Sequence, residues 1–232
     1  MMKCLEVQQP IIYFAFQSTF MSDQQQSLEA IQDIRKMMER SSRFLSLSGL
    51  SGVSAGVVAL IGALFAYRWI YDYYDRYEAR EAYNPVDFTY LKWDLILLAM
   101  VVLMAALLSA FYFTWRKAKR NNLPIWDHTS RKMLINLFIP LLTGGIFVFG
   151  LLHYNEWRFI APVCLIFYGL SLVNASKYTL SDIRYVGMFE IVLGLANMWW
   201  IHYGLYFWAI GFGVLHIVYG TLMWWKYDRV KL

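Results

Sequence analysis

The chain has 232 residues, of which 59% are hydrophobic and only 16% are charged. Soluble domains carry about 25% charged residues, so this composition argues against a soluble protein, and the 10 Trp, 17 Tyr and 16 Phe suit the aromatic belts at membrane interfaces. The net charge of +5 comes from basic residues in short loops between apolar runs, which indicates a membrane-topology signal and no nucleic-acid partner.

Residues 1–20 are predicted to be a tail with no structure of their own. The apolar run Ile11–Phe16 is too short for the core of a signal peptide, and no small-residue cleavage site follows it. We expect that the natural start is Met21 and that the preceding residues are an upstream misread of the gene. The alternative is a disordered tail that belongs to the protein.

Residues 21–43 predict an amphipathic helix in the cytoplasm. Leu28, Ile31, Ile34 and Met38 recur at spacings of three and four, with charged residues between them. Such a helix either lies on the membrane surface or docks a cytoplasmic protein partner.

Apolar stretches in residues 44–232 predict an all-α, polytopic membrane bundle with six transmembrane helices. A bilayer core about 30 Å thick needs roughly 20 apolar residues as a helix, and only a helix satisfies its own backbone polar groups in lipid. The predicted spans are 44–67, 93–115, 133–153, 157–175, 183–203 and 205–225.

The distribution of Lys and Arg predicts that both termini lie in the cytoplasm. With the N-terminus inside, the cytoplasmic segments hold fifteen of these residues and the outer segments hold five. An excess of basic residues marks the cytoplasmic side of a membrane protein.

Two loops carry further signals. The basic loop 116–132 is explained by attraction to the anionic lipid bilayer, and its Asp127 or Thr129 is a candidate N-cap for the third span. The outer segment 71–92 is rich in Tyr and acidic residues. It is either an interfacial extension of the first helix or a patch that faces an external ligand.

Small residues line one face of the first span. Gly52 and Gly56 form a G-x-x-x-G pair, which permits close packing of helix backbones. We expect packing within the chain; a homodimer is the alternative. The same stretch matches G-x-S-x-G, but that motif works on a sharp strand-to-helix turn. We therefore rank a protease that pairs Ser54 with His216 below the other interpretations.

The last two spans carry the most informative pattern. Each has one face of small and polar residues, namely Gly187, Glu190, Gly194 and Asn197 on the fifth, and Ala209, Gly213, His216 and Gly220 on the sixth. A turn centred near Gly204 brings Glu190 and His216 to within about half a helical turn of the same depth. We expect the two small-residue faces to pack together with the carboxylate and the imidazole between them.

An ionisable residue inside a span is a functional hypothesis by default. Beside His216, Glu190 either stays ionised and holds the imidazole charged, or the two groups share a proton. The functional interpretation is a proton-responsive or solute-binding site formed by Glu190, His216 and Asn197. The alternative is a structural hydrogen bond that locks the hairpin.

No catalytic residue, cofactor or metal site is predicted. The sequence has no P-loop, G-x-G-x-x-G, H-E-x-x-H or C-x-x-C motif. Its two cysteines, Cys4 and Cys164, lie far apart in different settings and predict neither a disulfide nor a metal site.

Three stretches carry a family resemblance: Ser46–Gly52 (SLSGLSG), Leu123–Asp127 (LPIWD) and Phe207–Gly220 (FWAIGFGVLHIVYG). They resemble a family of uncharacterised, six-span integral membrane proteins of Bacteroidetes-type bacteria, over nearly all of the chain from Met21 onward. The resemblance implies a location in the bacterial cytoplasmic (inner) membrane, and it supplies no catalytic residues.

The leading hypothesis is a non-enzymatic six-helix membrane module that senses or scaffolds through its N-terminal helix and basic loop. The alternative is a small proton-coupled transporter or carrier that uses Glu190 and His216. An intramembrane enzyme comes third.

Overall fold

The computed structural model describes residues 48–80, 85–121 and 126–228. The predictions for residues 1–20 and for the amphipathic helix in 21–43 lie outside the described residues. Within the described ranges the regular structure is all helical.

Five helices precede a composite C-terminal one. They are α1 Gly49–Arg80, α2 Pro85–Arg120, α3 His128–His153, α4 Ile160–Ala175 and α5 Asp182–Trp199. The rest of the described chain is the C-terminal helix, which consists of α6 Gly204–Trp208, a π-helical segment Ala209–Leu215, α7 His216–Met223 and a second π-helical segment Trp224–Asp228. Short 3-10 turns lie at Trp157–Phe159, Ser176–Tyr178 and Ile201–Tyr203.

Five of the described helices are long and apolar enough to cross a membrane. They are Gly49–Glu78, Asp87–Arg120, His128–His153, Trp157–Tyr178 and Ile201–Asp228. This confirms the prediction of an all-helical protein with helices long and apolar enough to cross a membrane. The predicted fifth span is not among them, because α5 has 18 residues and carries Asp182, Arg184 and Glu190.

Two local predictions concern helix ends. The Asp127 side chain accepts a 2.6 Å hydrogen bond from the Ser130 backbone N–H and caps α3, as one of the two predicted candidates. Residues 71–80 of the tyrosine-rich outer segment continue α1 as a regular helix, well beyond the predicted end at Tyr67, and residues 85–92 begin α2. The interpretation as an extension of the first helix therefore agrees with the conformation of residues 71–80 and does not hold for residues 85–92.

Contacts between helix ends define one end of the bundle, which we call the basic end. The Asp228 carboxylate accepts a 3.1 Å hydrogen bond from the Gly49 N–H at the start of α1 and lies 2.7 Å from Lys117 Nζ near the end of α2. Lys226 Nζ donates to Asp182 at the start of α5 over 2.8 Å.

Two contacts define the opposite end of the bundle, which we call the tyrosine end. Lys92 in α2 donates to Asn155, which lies between α3 and α4. The Tyr67 ring of α1 lies 6.3 Å from the Tyr206 ring of α6. The described helices therefore alternate in direction between the two ends.

Glycine brings α1 into backbone contact with the C-terminal helix. A Cβ atom added to Gly52 would lie 3.1 Å from the Gly220 Cα, and one added to Gly56 would lie 2.7 Å from the Gly213 carbonyl oxygen. The G-x-x-x-G pair thus packs within the chain.

A second glycine contact joins α4 to α5. A Cβ on Gly187 would lie 2.6 Å from the Gly169 carbonyl oxygen, and one on Gly194 would lie 2.9 Å from the Pro162 carbonyl oxygen. The expectation that the glycines of the last two helices face each other was therefore wrong. Each glycine stripe faces a different neighbour, because α4 and α1 offer the complementary small residues and backbone surfaces.

We expect Gly220→Ala to destabilise the bundle. The new Cβ would lie 2.5 Å from the Val53 backbone nitrogen and 2.6 Å from the Gly49 carbonyl oxygen, so the two helices would have to separate. Overpacking of this kind costs about 1–3 kcal/mol, which thermal unfolding in detergent would detect as a lower midpoint. Gly150→Ala in α3 is the matched control, since a Cβ there meets nothing within 4 Å. Equal midpoints for the two variants would contradict the packing argument.

Candidate functional site

Glu190 lies in the interior, between α5 and the C-terminal helix. Its side chain is 0% exposed, and neither carboxyl oxygen has a hydrogen-bond partner among the described residues. A carboxyl group is costly to hold in apolar surroundings unless a neighbour compensates for its lost hydration. The neighbours of Glu190 therefore decide what this site can do.

His216, the first residue of α7, is the nearest ionisable group. Its Nδ1 lies 3.5 Å from Glu190 Oε1 and 3.0 Å from the Gly211 carbonyl oxygen. Since a carbonyl oxygen only accepts, Nδ1 carries the hydrogen in the bond to Gly211. The separation of 3.5 Å from the carboxylate is suited to an ion pair and is long for a hydrogen bond.

Tyr168 on α4 completes the site. Its hydroxyl oxygen lies 2.7 Å from His216 Nε2. With a neutral imidazole the tyrosine hydroxyl donates to Nε2, and with a charged imidazole Nε2 donates to the tyrosine oxygen. The same geometry therefore accommodates both protonation states of His216. We call Glu190, His216 and Tyr168 the buried cluster; its members come from α5, the C-terminal helix and α4.

The chemistry of the buried cluster favours the state in which Glu190 and His216 share one proton. When Glu190 and His216 hold one exchangeable proton between them, the pair has no net charge, whichever residue carries it. Loss or gain of a further proton leaves a net charge in an apolar interior, which is unfavourable. A change in protonation therefore alters the forces between three helices.

The π-helical segment Ala209–Leu215 shapes the site. It ends next to His216, and its Gly211 lies directly over the carboxyl group, since a Cβ at Gly211 would be 2.5 Å from Glu190 Oε2. Single π-helical turns inside α-helices are frequent at functional sites. Glycine at this position is what allows the acid to reach the helix backbone.

Aromatic rings cover the imidazole. The Tyr168 ring lies 5.0 Å from Phe212 and 5.4 Å from His216, and the Phe212 ring lies 6.1 Å from His216. The His216 side chain retains 12% exposure. The imidazole, and not the carboxylate, is thus the member of the pair nearer to the surroundings of the bundle.

Asn197 lies outside the buried cluster. Its side chain is 0% exposed, like that of Glu190, but its amide nitrogen donates to the Trp200 carbonyl over 3.0 Å at the tyrosine end. The carbonyl oxygen of the Asn197 amide has no partner among the described residues. The predicted set of Glu190, His216 and Asn197 is therefore divided: the first two are adjacent, and the third is two helical turns away along α5.

Ser54 does not pair with His216. Its hydroxyl donates to the Ser51 carbonyl over 3.0 Å within α1, and both ring nitrogens of His216 face other partners. The described residues also contain no group of three or more His, Cys, Asp or Glu side chains that could hold a metal ion.

Sequence reasoning missed the roles of Tyr168, Gly211 and Phe212. Tyr168 is 48 residues from His216 in the chain, and no local spacing connects them. The only signal in the sequence for these roles was the glycine pair Gly211 and Gly213 shortly before His216.

Comparison of the chain with protein-family models, with curated proteins and with solved structures finds no match. The resemblance to a bacterial membrane-protein family stays a prediction.

We expect Gly211→Ala to displace the Glu190 carboxyl group and to break the contact with His216. The added methyl group would meet Glu190 Oε2 at 2.5 Å and a Leu165 methyl carbon at 2.5 Å. Nitrogen NMR of labelled histidine would report the change as a shifted His216 titration. Gly145→Ala is the control, because a Cβ there meets nothing within 4 Å. An unchanged His216 titration in Gly211→Ala would argue against contact between the two groups.

Proposed function

We propose that the chain is an integral membrane protein of six spans, with α5 as the fifth. The support comes from its packing: α5 runs antiparallel to α4, with contacts from Gly187 beside Gly169 to Gly194 beside Pro162. The 18 residues of α5 give a helix about 27 Å long, close to the thickness of the hydrocarbon core. If α4 crosses the membrane, its full-length neighbour crosses too, and the charges of α5 lie at its end or in the buried cluster.

The proposed orientation places the basic end in the cytoplasm. Fifteen Lys and Arg residues fall on that side and five on the other. The resemblance to a bacterial family is the support for the bacterial inner membrane as the location.

The proposed function is that of a non-enzymatic, proton-responsive sensing module. One observation carries it: Glu190 is fully buried without a hydrogen-bond partner among the described residues, 3.5 Å from His216. Groups in this arrangement are typical of proton-binding sites in membrane proteins. Because His216 titrates near physiological pH when unperturbed, the pair is a suitable receptor for a proton.

The C-terminal helix links the buried cluster to the basic end, where a change at the cluster would be transmitted. It carries His216 in the buried cluster and, about 18 Å further along, Asp228 at the N-terminus of α1. Residues 21–43 precede α1 and are the proposed docking element for a cytoplasmic protein. A shift of the C-terminal helix on protonation would act directly on the start of α1.

A proton-coupled transporter is the second candidate. The observation that favours it is the π-helical interruption of the C-terminal helix beside the buried cluster, because interrupted helices form the binding sites of many transporters. Proteoliposomes with an internal pH dye separate the two: a transporter gives a Glu190-dependent proton flux, and a sensor does not.

A topology experiment tests the proposed spans. Six spans require a C-terminal reporter and an N-terminal reporter on the same side, with a reporter inserted at Asn155 on the other. A periplasmic phosphatase should be inactive at the C-terminus and active at Asn155. Phosphatase activity at the C-terminus would mean that α5 does not cross.

Glu190→Gln tests the proton-binding site. We expect infrared titration of the purified protein to show a carboxyl band that disappears in Glu190→Gln and persists in Glu156→Gln, an exposed control whose side chain is 41% accessible. The His216 titration should also change only in the first variant, since glutamine keeps the size of the side chain and removes its charge. Identical titrations for the native chain and Glu190→Gln would refute the proposal.

A further inference from the structure

Tyr219 is a buried polar group that the site described above does not use. It lies on the C-terminal helix three residues after His216, towards the basic end, and its hydroxyl is buried without a hydrogen-bond partner among the described residues. A buried tyrosine hydroxyl usually has a partner, supplied by protein or by ordered water. This one therefore marks a place where a bridging group is needed.

Tyr219 belongs to a stripe that leads from the buried cluster to the basic end. His216, Tyr219, Met223 and Tyr227 follow one another at spacings of three, four and four, which places them on one side of the C-terminal helix. Tyr219 and Tyr227 both pack against the apolar group of Leu180, Ile183 and Met223. The stripe thus faces the start of α5.

The stripe ends at an accessible carboxylate. The Tyr227 hydroxyl donates to Asp182 Oδ2 over 3.1 Å, and the Asp182 side chain is 29% exposed. Lys226 donates to the same oxygen. Asp182 is therefore a group that can exchange protons with water at the basic end.

In the other direction along the same helix, the next turn is aromatic. The ring of Phe212 stacks towards Trp208 at 5.1 Å, one turn further towards the tyrosine end. Asn197 on α5 is a buried polar group in that half, about 10 Å along the helix axis from Glu190. The polar groups nearest to the buried cluster along the C-terminal helix thus lie on the side of the basic end.

We propose that Tyr219 relays protons between the buried cluster and Asp182, so that the cluster is loaded from the basic end. This inference rests on the proposed proton-binding function. Asp182 takes a proton from water; each hydroxyl on the route accepts a proton on its oxygen as it gives its own to the next group, and no hydroxyl keeps a charge. The Tyr168 hydroxyl then gives its proton to His216 Nε2, 2.7 Å away, and His216 Nδ1 gives its own proton to Glu190 Oε1, 3.5 Å away.

The titratable groups that face this route come from three elements. They are Tyr168 on α4, Asp182 and Glu190 on α5, and His216, Lys226 and Tyr227 on the C-terminal helix. The axial distance of about 12 Å between Tyr219 and Tyr227 exceeds a single hydrogen bond. Water molecules are the required bridges, and Tyr219 provides the fixed point between them.

The test is a pH jump on the full-length protein in detergent, followed through the Glu190 carboxyl band in time-resolved infrared spectra. Tyr219→Phe keeps the ring and removes the hydroxyl. We expect proton uptake to slow by about tenfold or more, as for loss of a positioned proton-transfer group, while the final band amplitude is unchanged. Tyr206→Phe, on the same helix at the tyrosine end and 55% exposed, should leave the rate as it is.

Asp182→Asn is the second variant and should also slow uptake with the amplitude retained. Native rates in both Tyr219→Phe and Asp182→Asn, with the carboxyl band present, would overturn the relay and leave the proton-binding site intact. Slower uptake in Asn197→Ala, with a native rate in Tyr219→Phe, would also overturn the relay, since the cluster would then be loaded from the tyrosine end. Absence of a titrating Glu190 band in the native chain would instead refute the proposed function itself.

Discussion

Where α1 crosses the C-terminal helix, glycine allows backbone atoms of the two helices to touch. Lipid provides no hydrophobic drive between helices, so such van der Waals contact is a main source of their association. Gly52, Gly56, Gly213 and Gly220 make this contact, and it decides which face of the C-terminal helix meets α1. The adjacent face, with His216 and Tyr219, is then left for α4 and α5. The position of the buried cluster follows from this division.

The buried carboxyl group of Glu190 lowers the stability of the protein where it serves the proposed function. Gly211 lets the carboxyl group approach the helix backbone, yet no described group donates a hydrogen bond to it. In a protein selected only for stability, an apolar residue of similar volume would suit this position better. The nearby π-helical segment is a further departure from regular structure. Local irregularity and an uncompensated acid at one place are expected where function outweighs stability.

The sequence predicted those features that depend on a helix's own periodicity. Apolar runs located the helices, Asp127 was a recognisable cap, and the spacing around Gly204 brought Glu190 level with His216. The partner of each glycine stripe was not predictable, because periodicity defines a face relative to its own axis and not to a neighbour. Tyr168 was missed for the same reason. The continuation of α1 to Arg80 was missed because bilayer thickness limits a span and not the helix that contains it.

The positions of the glycine contacts support the proposed sensing function over the proposed transport function. Gly213 packs on Leu60 and Gly220 packs on Val53, so α1 holds the C-terminal helix on both sides of His216 along the chain. Moving the C-terminal helix away from α1 would require both close contacts to separate. A small shift of the C-terminal helix together with α1 would keep them, and it would move Asp228 and the start of α1 as one unit. Interfaces packed this closely transmit displacement in preference to deforming, so a change of charge in the buried cluster would reach the basic end through the backbone of α1.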